Sequence, residues 1–274
     1  MIKRPEHRWP HLPFSAAANH EARLQNPMEL HENEVHFWFT QLAEENPRIA
    51  EFRQDLSKGE RERASRFHRP SDRCSYIISH GVLRELLSRY LGIGPQDVEY
   101  ETGSHGKPAL HSSCGDSSLQ FNMSHTDGLA AFALTRSRRI GVDVERITRD
   151  LSNQDEIVAN YFAPREADNY RSLPSEKKNE AFFNCWTRKE SFIKATGDGL
   201  SYPLDSFEVT LRPGERAVLL AVRDSPAEQW SMESLEPLAG YAAAITAEAP
   251  WKLVDFGEFD ASVYNESHPT HQSD

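Results

Sequence analysis

AFFNCWTRKESFIKATGDGL, residues 181–200, reads as one core-packed helix. Phe182, Cys185, Trp186, Phe192 and Ile193 share one face at about 100° per residue, and Gly197 follows Thr196 as the C-terminal stop. Two features break the pattern. Lys189 falls within the apolar stripe, and Glu190 and Lys194, one helical turn apart, lie at its margin beside Phe183. A Glu–Lys pair at this spacing is ordinarily a weak surface ion pair. Charges that intrude on an apolar face, however, cost free energy unless a ligand, metal or partner pairs them. The helix alone leaves both readings open.

Upstream, IGVDVER (140–146) has the period of a strand, with Val142 and Val144 on one face and Asp143 and Glu145 on the other. Their carboxylates then stand about 7 Å apart along the chain, within reach of one ion. Magnesium takes hard oxygen ligands, one or two carboxylates together with waters and substrate phosphates. An edge strand wetting its polar face gives the same pattern. FNMSHTDG (121–128) puts Ser124 and His125 at the end of an apolar strand, where a hydroxyl and an imidazole suit a phosphate; a turn that satisfies its own backbone is the other reading. GKP (106–108) presents Lys107 on a loop fixed by Gly106 and Pro108.

Around these motifs the chain reads as two similar halves. EVHFWFTQL (34–42) alternates as a strand, and Tyr76, Ile77, Val82, Leu83, Leu86, Leu87 and Tyr90 recur at helical spacing up to Gly92. VEYETGSHGKPAL, SLQFNMSHTDG, LAAFALTR and IGVDVERI read as short strands with polar turns between them. Helices through about 154–196 and the alternating runs SFEVTLR, AVLLAVR, WSMESLE and YAAAITAE loosely repeat that order. The predicted organisation is an extended arm (1–33), a first subdomain (34–138), a second (139–256) and a disordered acidic tail (257–274).

The formal charge of −11 opposes non-specific binding to nucleic acid, so an anionic ligand must meet a local basic patch. KGERERASRFHRPSDR (58–73), with six Lys or Arg, is either that patch or a solvated helix face. No apolar run is long enough to cross a membrane and no secretory leader is visible, so a cytoplasmic protein is expected. Cys74, Cys114 and Cys185 are too few and too far apart for a disulfide framework or a zinc site. The common nucleotide-binding, hydrolase and metalloprotease motifs do not occur.

Taken in order, GKP, FNxSH, GVDVE and WTRKESFIKATGDGL resemble the Sfp-type 4'-phosphopantetheinyl transferases, whose signatures are G-x-D-x-E and W-x-x-K-E-[AS]-x-x-K-x-x-G-x-G-L. The likeness runs from LSKGERERASRF (56–67) to about Leu200. It implies an α+β fold of two similar subdomains related by a pseudo-twofold axis, each an antiparallel sheet packed with a long helix, with coenzyme A in the cleft between them. It also implies transfer of phosphopantetheine from coenzyme A to a serine of an acyl or peptidyl carrier protein, by a monomer. By resemblance, Asp143, Glu145 and Glu190 hold Mg²⁺, Glu190 is the general base, and Lys194 steadies the diphosphate. Ser124 and His125 contact phosphate, Gly106, Lys107 and Pro108 surround the adenosine and its 3'-phosphate, and Arg63 and Arg73 belong to the basic patch. Two rivals use the same residues: a non-catalytic module that binds coenzyme A or a carrier, and a metal-dependent phosphodiesterase.

Overall fold

The computed structural model describes residues 28–103, 106–147, 153–223 and 226–260. The arm up to residue 27, the tail from residue 261, and 104–105 within the GKP region lie outside the described residues. In chain order come strand β1 (Glu34–Gln41), helices α1 (Ile49–Asp55), α2 (Lys58–Ser65) and α3 (Pro70–Leu91), and strands β2 (Tyr100–Thr102), β3 (Pro108–Leu110), β4 (Leu119–Thr126), β5 (Leu129–Arg136) and β6 (Ile140–Arg146). Helices α4 (Gln154–Tyr161), α5 (Pro164–Arg171) and α6 (Ser175–Thr196) follow. Strands β7 (Phe207–Val209), β8 (Leu219–Val222), β9 (Trp230–Leu235), β10 (Tyr241–Glu248) and β11 (Lys252–Glu258) complete an α+β chain.

Each half sets one 22-residue helix on one sheet. Helix α3 packs on the sheet ordered β11-β1-β5-β4, and α6 packs on the sheet ordered β6-β10-β9. Both helices end the same way, on a left-handed glycine whose N–H returns to the last turn: Gly92 to Ser88 O and Gly197 to Ile193 O. Helix α2 begins with a capping box in which the Ser57 hydroxyl accepts from Glu60 N and the Glu60 carboxylate accepts from Ser57 N.

A third apolar layer fuses the halves. Val35, Phe37 and Phe39 of β1 and Ala131 and Ala133 of β5 meet Val142 and Val144 of β6 and Ile245 of β10. The opposite face of β1 is buried too. Trp38 enters the α3 core, and the Tyr90 hydroxyl accepts from Trp38 Nε1 (3.0 Å) and bonds His36 Nδ1 (2.8 Å). Strand β6 is an edge of its sheet, but β4 of the first sheet lies against it, so its polar side is not simply wet.

Two expectations need correction. First, the last strand does not stay with the second half: β11 pairs with β1 in parallel, so the first sheet is mixed rather than purely antiparallel. Second, Gly257 and Glu258 are strand residues of that sheet rather than disordered tail. Gly257 lies over the Trp38 ring and Phe259 is buried in the first core, which holds this stretch in place. The end of the arm, from Met28, is held against the first subdomain. Leu30 is buried, its carbonyl accepts from Arg136 Nε (2.6 Å), and Met28 N donates to Arg89 O (2.7 Å).

The misplaced charge at Lys189 also finds its reason here. Its ammonium is fully buried, 2.8 Å from Glu166 Oε2, and donates to Leu204 O (2.7 Å) and Phe207 O (2.8 Å). Glu166 in turn accepts from Ala163 N and Val209 N, so the pair ties α5, α6 and β7 together with both charges hydrogen-bonded. No ligand is needed to account for Lys189.

Candidate active site

The site lies where β4 of the first half meets β6 and α6 of the second. The glycine of the G-x-D-x-E motif makes the meeting possible. A Cβ at Gly141 would fall 2.8 Å from Lys194 C and closer still to Ser191 O and Ala195 N, all backbone atoms of α6. With only a hydrogen there, β6 lies directly on the helix, and the period of the strand turns Asp143 and Glu145 to the side that carries Glu190 and Lys194.

Asp143 is the centre of the cluster. It is 3 % exposed, and its Oδ1 accepts from Lys194 Nζ (2.6 Å) and Ser124 Oγ (2.8 Å). Lys194 also donates to Ser124 Oγ (2.9 Å), which closes a triangle across the two halves. Asp143 Oδ2 is buried with no hydrogen-bond partner. Burial and the Asp143 charge push Glu145 up to about 7, against the pull of the Thr126 hydroxyl and of Lys194, and Glu190 adds to the push. Glu190 is likewise raised by burial and by Asp143 and lowered by Lys194. Both glutamates thus feel the Asp143 charge, and one ammonium opposes it.

This arrangement fits a divalent cation by its chemistry. It offers hard oxygen donors, an orphaned carboxylate oxygen, and acids that destabilise one another's ionised forms. Among the described residues, however, no three His, Cys, Asp or Glu side chains are gathered closely enough to form a finished ion site.

Residues 139–246 match the family described as the 4'-phosphopantetheinyl transferase superfamily, and residues 44–137 match the 4'-phosphopantetheinyl transferase N-terminal family. The chain is 38% identical over 213 residues to the 4'-phosphopantetheinyl transferase HetI of a Nostoc species, covering 78% of this chain and 87% of that one. It belongs to the 4'-phosphopantetheinyl transferases. The Sfp transferase of Bacillus subtilis is 31% identical over 208 residues, covering 76% of this chain and 87% of its own. Among solved structures, the Thermotoga maritima holo-acyl-carrier-protein synthase overlaps at a TM-score of 0.33 and 19% identity, over 41% of this chain and 64% of that one, too little to bear on the fold.

The other residues singled out in this transferase separate into groups. His125, next to Ser124, is exposed at the rim. Local desolvation and the facing charges of His80, Lys194 and Arg63 all lower its pKa, so this corner is electropositive. Arg63 of α2 reaches it with its guanidinium over the Tyr76 ring at 5.7 Å. Arg73 stands exposed in the first turn of α3. Gly106 takes φ +86°, which favours glycine in the turn, and Pro108 opens β3.

Lys107 and Ser124 meet protein partners. Lys107 Nζ donates to Ile140 O (2.7 Å), Lys194 O (2.7 Å) and Ala195 O (3.5 Å), and burial lowers its pKa to about 8. It satisfies carbonyls at the end of α6 and straps the β2–β3 hairpin to the second half, as a cation at a helix C-terminus does. Ser124 is buried and turned to Asp143 and Lys194. Lys107→Met is therefore expected to lower unfolding free energy by about 1–3 kcal/mol, read by urea titration. A lysine serving coenzyme A alone would leave unfolding unchanged and raise only its KM.

Sequence reasoning passed over three participants. Asn122 and Thr126 share the face of Ser124 at strand period, a polar row that could have been noticed. His80 is stacked on Tyr76 and bonded to Glu60; nothing in its helical setting distinguishes it from a solvated residue.

Proposed function

We propose that the transferase moves phosphopantetheine from coenzyme A to a serine hydroxyl of an acyl or peptidyl carrier, with Asp143, Glu145 and Glu190 holding Mg²⁺ beside the coenzyme A diphosphate. The cluster of Asp143, Lys194 and Ser124, flanked by the two raised glutamates, carries the reading. Bound Mg²⁺ supplies charge neutralisation at the diphosphate oxygens. Lys194 adds a fixed positive charge on the leaving adenosine 3',5'-bisphosphate, and His125 with Arg63 forms the electropositive corner for a further phosphate. Glu190 takes the proton as the serine oxygen attacks the phosphorus next to pantetheine. A base must be ionised, and a bound divalent charge favours the ionised form of Glu190.

The same reading keeps the expectation of a monomer, because one chain supplies both walls of the site. It also keeps a cytoplasmic setting without nucleic acid or membrane as partner. Carriers are typically small and acidic, so the net charge of −11 favours docking through apolar contacts and a few basic side chains over long-range attraction. Incubation with coenzyme A, Mg²⁺ and an apo carrier tests the proposal. Mass spectrometry should show the carrier gain phosphopantetheine, and chelation should stop it. Retention of coenzyme A on the protein without that gain would favour the binding-module reading.

A pH dependence follows. Glu145 is raised to about 7, so an ion that needs its carboxylate competes with a proton below that value. Apparent Mg²⁺ affinity should rise between about pH 6 and about pH 8, since ligands must be deprotonated to bind. Activation by Mg²⁺ titrated at each pH checks this.

A further inference from the structure

Strands β4 and β6 are edge strands of different sheets, so no backbone ladder joins them where the acids stand. Side chains take its place. On the face of β4 turned to the second half, Asn122 Oδ1 accepts from Val142 N (2.8 Å), Ser124 Oγ donates to Asp143 Oδ1 (2.8 Å) and Thr126 Oγ1 donates to Glu145 Oε2 (3.1 Å). The three rungs are spaced at strand period on β4 and meet successive parts of β6. Asn122, 7 % exposed, covers the outward N–H of an edge strand next to Asp143 and thereby fixes the register of β6 against β4. Beyond that anchor, Glu145 is the last acid on the strand. Among the described residues the Thr126 hydroxyl is the one hydrogen-bond donor to its carboxylate, while the charges of Asp143 and Glu190 push against it.

We infer that Thr126 is a positioning residue, whose hydroxyl holds the Glu145 carboxylate in the orientation needed to ligate the divalent cation. This rests on the metal reading given above. A carboxylate on a flexible glutamate loses rotamer freedom when it binds an ion, and a fixed donor removes part of that loss beforehand. Partners that orient metal ligands in this way typically contribute about 10- to 100-fold in metal affinity. The effect should show in metal binding more than in coenzyme A binding, because Thr126 touches the ligand and not the phosphates.

The test uses Mn²⁺ as probe with the full chain and coenzyme A, and reads free Mn²⁺ by electron paramagnetic resonance. Thr126→Val keeps the shape and removes the hydroxyl; Thr126→Ser keeps the hydroxyl. The expected result is a Kd for Mn²⁺ raised about tenfold in Thr126→Val and near wild type in Thr126→Ser, with both variants folded and melting within about 4 °C of wild type. A Thr126→Val variant that binds Mn²⁺ like wild type overturns the inference. So does equal weakening in both variants, which would assign the effect to packing. If the wild-type chain binds no Mn²⁺ yet modifies a carrier, the metal reading itself fails, an outcome distinct from both.

Discussion

Asp143→Ala should lower transfer to a carrier by at least about a thousandfold, or about 4 kcal/mol of transition-state stabilisation, while the chain stays folded. Asp143 is the one acid whose Oδ1 gathers donors from both halves, Ser124 of β4 and Lys194 of α6, and whose Oδ2 is buried without a partner. On the proposed function, removing it takes away a metal ligand and also frees Lys194 from its fixed place, so two groups assigned to the diphosphate are lost together. The fold should survive. Lys194 keeps 27% of its side chain in contact with solvent, and Glu145 and Glu190, raised first by burial and then by the Asp143 charge, lose the second of these causes. Carrier mass gain in single turnover measures the loss, and circular dichroism with thermal unfolding checks the fold. Turnover within about tenfold of wild type in a folded variant would remove Asp143 from the centre of the chemistry. Glu190→Gln is the companion change: its shape is kept, its basicity is gone, and coenzyme A binding should persist.

Much of this was legible because helix α6 carries its signals locally. The apolar stripe, the stop at Gly197 and the intruding charges lie within twenty consecutive residues, and β6 announces its two acids by period alone. What could not be read depends on partners distant in sequence. Lys189 looked like a charge awaiting a ligand because Glu166 lies on another helix. The strap made by Lys107 could not be read because the carbonyls it meets belong to β6 and to the end of α6. Helix α1 went unread because Phe52 is its one buried residue, too little to set a period. Strand β11 was missed for a related reason. Its residues include Lys252, Asp255 and Glu258, and its place is fixed by β1, far away in the chain, and by the burial of Phe259 beyond it.

Gly141→Ala should destabilise the chain by at least about 3 kcal/mol, the largest expected effect of any single methyl group at the site. In strand and helix interiors an alanine is ordinarily preferred to glycine, by roughly 0.5–1 kcal/mol, so the sign here is set by space alone. The added Cβ would meet Ser191 O, Lys194 C and Ala195 N. These are backbone atoms within α6, held by its hydrogen bonds, so no side chain can turn aside to make room. Either α6 lifts from β6 or β6 shifts against β10, and each movement strains the bonds that Lys107 makes to Ile140 O and Lys194 O. For a chain of this size the loss corresponds to a melting temperature lower by on the order of 10 °C, measurable by calorimetry. Activity of the folded fraction should fall as well, because the displacement separates Asp143 from Lys194. An alanine variant that melts with wild type would mean that β6 and α6 are not in backbone contact. The geometry that brings the acids of one strand to the lysine of one helix would then have to be abandoned.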